Sequence, residues 1–338
     1  MALQNINYSI LDLAVINQEE SVKQTFHNSL KIAQFAEALN YSRIWYAEHH
    51  NSENIASSAT SLLIGYVAEN TNNIRIGSGG IMLPNHSPLI VAEQFATLAH
   101  LYPNRIDLGL GRAPGTDQQT AQAIKSDFFK AAHSFASEIE KIQTYFSIEN
   151  KNAKIRVSMA EGIDVPLYIL GSSTDSAHLA AAKGLPYAFA SHFASTHLYN
   201  ALAIYKDEFQ PSNALDKPYT MAGINVFIAD TDEEAEKLFT SLVRMFIGIL
   251  TGNPQPLQPA TEMTNDLKEA LAHPQIQQML KFSFVGSKQT VKNKIEAFIE
   301  ATDINELIMV SNIYNQEDKM KCVKYFAEIM EEINLKNK

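Results

Sequence analysis

The chain has 338 residues, 46% of them hydrophobic and 19% charged, with a formal net charge of −10 and one cysteine. This composition supplies a large core and excludes a disordered chain. The acidic balance excludes a general binder of nucleic acid or anionic membrane, which needs clustered Lys and Arg.

Residues 1–20, MALQNINYSILDLAVINQEE, lack a basic leader, and Asp12 breaks their apolar run. They read as a first strand rather than a signal peptide. No apolar run approaches the ~20 residues of a membrane span. Cys322 alone cannot form an internal disulfide, which fits a reducing compartment, and the chain is expected to be cytoplasmic.

Short aliphatic runs then alternate with segments of helical period, the pattern of a parallel sheet with crossover helices. Strands are expected at 8–13, 43–47, 74–78, 106–110, 167–170, 187–190, 221–228 and 307–310, about the eight that close a barrel. Between them Ile32, Phe35, Ala36 and Leu39, then Val91, Phe95, Leu98 and Tyr102, and finally Val323, Phe326, Met330 and Ile333 mark the inner faces of helices. Residues 56–68 are apolar on most of their circumference, which points to a helix that also packs outside its own barrel, as in a homodimer. The expected fold is a (β/α)8 TIM barrel, one domain over 1–338, with an insertion before the last strand. That insertion carries the Pro-rich stretch 251–261, expected to build a substrate wall or a lid that closes over the site. An open doubly wound sheet is the alternative.

In a barrel the chemistry sits at the C-terminal ends of the strands. Strand two ends in AEHHN (47–51). Neighbouring residues on an extended strand face opposite ways, so His49 and His50 do not share a metal ion unless the loop turns them. The expected arrangement has one histidine facing the mouth and no metal. Strand three ends in GSGGIMLPNHSP (77–88), where the glycines mean that the backbone passes close to something.

Strand four ends in DLGLGRAPGTD (107–117), which places Arg112 at the rim as a fork for phosphate or carboxylate. Gly109, Gly111 and Gly115 do not make a dinucleotide fingerprint. Strand five ends in LGSSTDSAHLAAAKG (170–184), either a capped helix start or a cradle of free N–H groups for an anion. A rival cradle is FVGSKQT (284–290). Strand six ends in FASHF (189–193), with His192 in or beside the mouth and Phe189, Phe193 and Phe227 as candidate walls of an apolar pocket.

The run at 74–117, with AEHHN at 47–51 and PLYILGSS at 166–173, resembles the luciferase-like, flavin-dependent monooxygenases, and the likeness extends over about 8–325. The resemblance implies a barrel that binds FMN, or in one branch the deazaflavin F420, at its mouth. It implies that Arg112 holds the phosphate with Ser172, Ser173 and Ser176, in a cofactor site that also includes Gly171 and His192. It further implies a non-prolyl cis peptide at Gly79-Gly80 beneath the ring, with His49 as the catalytic histidine. Bacterial luciferase has a reactive cysteine where this chain has Gly111, so light emission is not expected.

The expected activity is oxygenation of a small organic substrate with reduced FMN and O2, the reduced flavin coming from a separate NAD(P)H-dependent reductase. The alternatives are a non-catalytic flavin store, an F420- or NAD(P)H-dependent reductase on the same barrel, and a metal-dependent hydrolase.

Overall fold

The computed structural model describes residues 5–127 and 132–336. Eight parallel strands close a barrel: β1 (Asn7–Asp12), β2 (Arg43–Tyr46), β3 (Arg75–Met82), β4 (Ile106–Gly111), β5 (Leu167–Gly171), β6 (Tyr187–Phe189), β7 (Thr220–Ala229) and β9 (Glu306–Val310). Each pairs with the next around the ring, β7 pairs with β9, and β9 returns to β1. These are the eight strands expected from the sequence. Every residue of β2, β4 and β7 is buried, since helices cover the outside and side chains fill the inside.

Helices α1 (Val22–Ala38), α2 (Thr60–Glu69), α3 (Pro88–Leu101), α4 (Gln118–Ile124), α5 (Phe135–Phe146), α6 (Thr174–Lys183) and α7 (Leu198–Glu208) follow in turn. Side chains cap several of them: Ser21 accepts from the Gln24 N–H of α1, and Asp117 from the N–H groups of Gln119 and Thr120 in α4.

The insertion before the last barrel strand comprises α8 (Asp232–Leu250), α9 (Asn265–Ala272), α10 (Pro274–Met279), β8 (Ser283–Ser287) and α11 (Lys288–Thr302), and α12 (Gln316–Lys336) closes the chain. Strand β8 lies outside the ring and extends the upper half of β7, from Asn225↔Ser283 to Ala229↔Ser287. The sequence analysis expects no strand between 228 and 307, only a rival anion cradle at 284–290.

Charged groups fill the lower barrel. Arg43 reaches Asp107 at 2.8 Å and Glu306 at 2.9 Å, and Arg75 reaches Asp107 at 2.5 Å. Trp45 Nε1 donates to Asp107 Oδ2 at 3.1 Å, and the Tyr219 hydroxyl donates to Glu306 Oε2 at 2.6 Å. Two guanidinium groups thus meet two carboxylates and the charges balance, the condition for keeping ions in a barrel interior.

Candidate active site at the barrel mouth

The upper rim is built from the loops after β2, β3, β4, β5 and β6. After β2 the chain turns back on itself: His49 N–H donates to Ser57 O at 2.9 Å, and the Ser57 and Thr60 hydroxyls donate to Ala47 O. Glu48 and His50 point one way, and His50 Nε2 lies 2.8 Å from Glu48 Oε1. His49 is half-buried and not part of that pair. The two histidines therefore separate as the strand alternation predicts. Burial lowers the proton affinity of His49, and the Gly115 carbonyl and Glu48 offset this only in part, so its ring is held neutral.

The end of β3 contains a cis peptide at Gly79-Gly80, and the register between β3 and β4 shifts there, between Ser78 and Ile81. The Ser78 hydroxyl bridges the gap, donating to Gly109 O and accepting from Gly109 N–H. The glycine cluster is explained by the protein's own packing. A Cβ on Gly77 would lie 2.6 Å from Asp107 and 2.9 Å from Trp45, and one on Gly80 would lie 2.7 Å from Gly109 O.

Arg112 leaves the end of β4 exposed and leans over the start of α6, where Nη2 lies 3.5 Å from Asp175 Oδ2. The sequence reading had no carboxylate beside this guanidinium. The contact is long and solvent-screened, so it binds Arg112 weakly. At the start of α6, Ser173 is the N-cap residue but its hydroxyl makes no capping bond. The first-turn N–H groups and the Arg112 fork make a donor set that suits a phosphate.

Ser172 and Ser173 are half-buried at this turn. Ser176 differs from the expectation: its hydroxyl donates to Ser173 O at 2.7 Å and lies 2.9 Å from the Tyr187 hydroxyl, which itself donates to Ser173 O at 3.1 Å. A Cβ on Gly171 would overlap the Ser176 side chain. Gly171, Ser176 and Tyr187 thus form the support beneath the turn.

At the rival cradle a carboxylate of the protein's own is already seated: Asp232 Oδ1 accepts from the Ser287 N–H at 2.6 Å and Oδ2 from the Thr290 hydroxyl at 3.1 Å. That leaves the start of α6 as the open one of the two.

His192 follows β6 and is nine-tenths buried. Its Nδ1 has no hydrogen-bond partner and faces Gly223 of β7, where any Cβ would overlap the ring. Burial, with a smaller contribution from His49, lowers its pKa to about 4. The Asn225 side chain fixes this segment by donating to His192 O at 2.6 Å. Of the three phenylalanines expected to line a pocket, Phe189 and Phe227 are core residues, and only Phe193 stands open to the mouth.

The stretch 251–261 is tied down rather than free. Leu257 is buried and exchanges backbone hydrogen bonds with Ile16 and Gln18, while Pro259 and Thr261 are bonded to Arg244 and Thr240 of α8. Three anchors thus hold its second half, while residues 251–255 are exposed. Among the described residues no group of three or more His, Cys, Asp or Glu is placed to hold a metal ion, and no helix is long and apolar enough to cross a membrane.

Sequence reasoning missed Tyr187, Gly223 and the partners of Glu48. The short run YAF and a glycine inside a long apolar strand carry no signal of their own.

Comparison with known proteins agrees with this geometry. A protein of Escherichia coli (strain K12) named luciferase-like monooxygenase is 41% identical over 333 residues, covering 98% of this chain and 99% of its own. The N-acetyl-S-alkylcysteine monooxygenase of Bacillus subtilis (strain 168) is 32% identical over 321 residues, covering 93% and 95%. Among solved structures, apo-MsnO8 superposes with a TM-score of 0.88 at 30% identity, covering 96% and 98%.

More distant neighbours share the fold at a TM-score of 0.71. One is a type II Baeyer-Villiger monooxygenase component in complex with FMN (17% identity, covering 96% and 97%), and another is an F420-dependent secondary alcohol dehydrogenase (15%, covering 96% and 98%). The model of the luciferase-like monooxygenase family matches residues 6–304. With a closed barrel, a matched length of this extent and a relative alike from end to end, the chain belongs to the luciferase-like monooxygenase family.

Proposed function

We propose that this chain is a monooxygenase that binds reduced FMN at the barrel mouth and uses O2 to oxygenate a small organic substrate. The observation that carries the reading is the start of α6: a turn without a side-chain cap and with Arg112 leaning over it, while the competing turn at α11 has the Asp232 carboxylate beside it. When bound, the reduced flavin supplies the two electrons that let one oxygen atom enter the substrate and the other leave as water.

The residues do the rest. Arg112 and the first turn of α6 hold the phosphate, with the Ser172 and Ser173 hydroxyls beside them. Gly171, Ser176 and Tyr187 keep that turn in shape. Gly79 and Gly80 lie beneath the ring. His49, neutral through burial, accepts or returns a proton at its unprotonated nitrogen. His192 turns its buried Nδ1 toward Gly223 and so presents its other ring nitrogen to the mouth. Reduced FMN reaches the protein from a separate NAD(P)H-dependent reductase, since no dinucleotide fingerprint is present in the chain. Two copies pair through the exposed apolar side chains Leu62 and Tyr66 of α2 and Ile90 and Leu101 of α3.

The test is a titration of the wild type and Arg112→Ala with oxidised FMN and with FMN reduced under anaerobic conditions. Loss of a charge-assisted phosphate contact is expected to weaken binding by about tenfold or more. Unchanged affinity in Arg112→Ala overturns the phosphate assignment. Binding of F420 in place of both forms of FMN overturns the cofactor assignment. Reduced FMN and O2 giving only hydrogen peroxide with every substrate class tried overturns the oxygenase.

A further inference from the structure

Glu48 is 1% exposed, yet four groups converge on its carboxylate. Oε1 accepts from His50 Nε2 at 2.8 Å and from Asn85 Nδ2 at 3.1 Å, and Oε2 accepts from the Met82 N–H at 3.0 Å. His86 Nε2 lies 2.9 Å from both oxygens. Because an ionised carboxylate only accepts, each imidazole must donate from Nε2. Burial by itself would raise the Glu48 carboxyl, but the bonds from His50 and His86 outweigh it and hold the group at about 2, ionised.

The network does not end at the carboxylate. Asn85 Nδ2 also donates to Pro114 O at 2.9 Å, His50 N–H donates to Gly115 O at 3.1 Å, and the Thr116 hydroxyl donates to His50 O at 2.9 Å. Two acceptors on one side of Asn85 dictate how its amide is turned, and its Oδ1 is left buried without a partner. An orphaned oxygen is a cost, so the arrangement is imposed by Glu48 and Pro114 together.

The carboxylate thus ties the loop after β2, which carries His49, to the loop after β3, and Asn85 and the His50 backbone carry the link on to the loop after β4, which begins at Arg112. We infer that Glu48 is the positioning residue of the mouth, setting the placement of the His49 loop against the Arg112 loop while touching neither cofactor nor substrate. The inference rests on the functional reading above, in which those two loops serve one ligand. It extends that reading by coupling the proton-accepting side of the mouth to the anion-holding side through a single group.

Two variants separate the arms of the network. Glu48→Gln removes the charge that faces His49, His50 and His86. In the ligand-free protein the His49 ring, followed by NMR of its carbon-bound proton across a pH series, is then expected to titrate at lower pH. The same variant is expected to bind FMN about tenfold more weakly, as for a buried bond left without its partner. Asn85→Ala cuts the link to Pro114 while leaving the carboxylate on both histidines. It is expected to weaken FMN binding with the His49 titration unmoved.

A folded Glu48→Gln protein with the wild-type His49 titration and wild-type FMN affinity overturns the inference. If that variant does not fold, wild-type affinity in Asn85→Ala overturns it instead. If the wild type binds no FMN, the functional reading falls, and the His49 titration in ligand-free Glu48→Gln still decides the role of Glu48.

Discussion

Asp175 and His192 are single residues whose surroundings predict measurable behaviour. Asp175 places a carboxylate beside the guanidinium proposed to hold the phosphate, and both are solvent-exposed. Asp175→Asn is expected to tighten FMN binding by about threefold at low salt, the size of an exposed charge contact, and the gain should shrink as salt is added. Isothermal titration at two ionic strengths measures it.

His192 has its folded pKa lowered to about 4 by burial and by His49, against an unfolded value near 6.5. The unfolded chain therefore takes up a proton that the folded protein refuses. Stability from this group is complete above about pH 6.5 and is lost as pH falls toward 4, by up to about 3 kcal/mol. Denaturant unfolding across that window should show the loss in the wild type and a smaller one in His192→Gln. The placement of His49, His192 and Arg112 at the rim was legible in the sequence because each directly follows a recognisable strand. The role of Glu48 was not, because its partners come from loops far apart in the chain.

The elements that hold these residues differ in how plainly they announce themselves. A barrel strand covered by helices and filled from inside reads as an apolar run, as Thr220–Ala229 does, so all eight ring strands could be located. Strand β8 escaped notice because it stands outside the ring and buries only alternate residues, and its Gly and Ser looked like an anion cradle. The capping carboxylate of Asp232 comes from another helix, and nothing near 284–290 hints at it. Replacing it tests the choice between cradles: Asp232→Ala is expected to lower the melting temperature and leave FMN affinity unchanged, as the proposed phosphate site at the start of α6 requires. Gly223→Ala acts between β6 and β7, forcing the His192 ring off its seat. Overpacking of this kind costs about 1–3 kcal/mol, and calorimetry alongside FMN titration would show stability and affinity falling together.

The barrel as a whole rests on its buried charges. Arg43 holds Asp107 and Glu306 at once and lies over the rings of Trp45 and Tyr168, at 5.6 Å and 5.1 Å. Arg43→Met leaves Asp107 with Arg75 alone and strips Glu306 of its cation, at an expected cost of about 3–5 kcal/mol in denaturant unfolding. This network was not legible in the sequence, where Arg43 opens an ordinary strand and Asp107 and Glu306 lie in separate repeats. On the outside, the proposed pairing through α2 and α3 predicts a dimer in sedimentation, and Leu62→Glu is expected to yield monomers.

The filled floor also has a kinetic meaning. Among the described residues, Trp45, Asp107, Tyr168 and Glu306 are buried and fill the lower barrel, which leaves the upper rim as the natural entrance. Arrivals and departures share one doorway, so whatever settles deepest must enter first and leave last. Binding at such a vessel is sequential by construction, and inhibition patterns between two ligands should read as an ordered queue rather than independent entry.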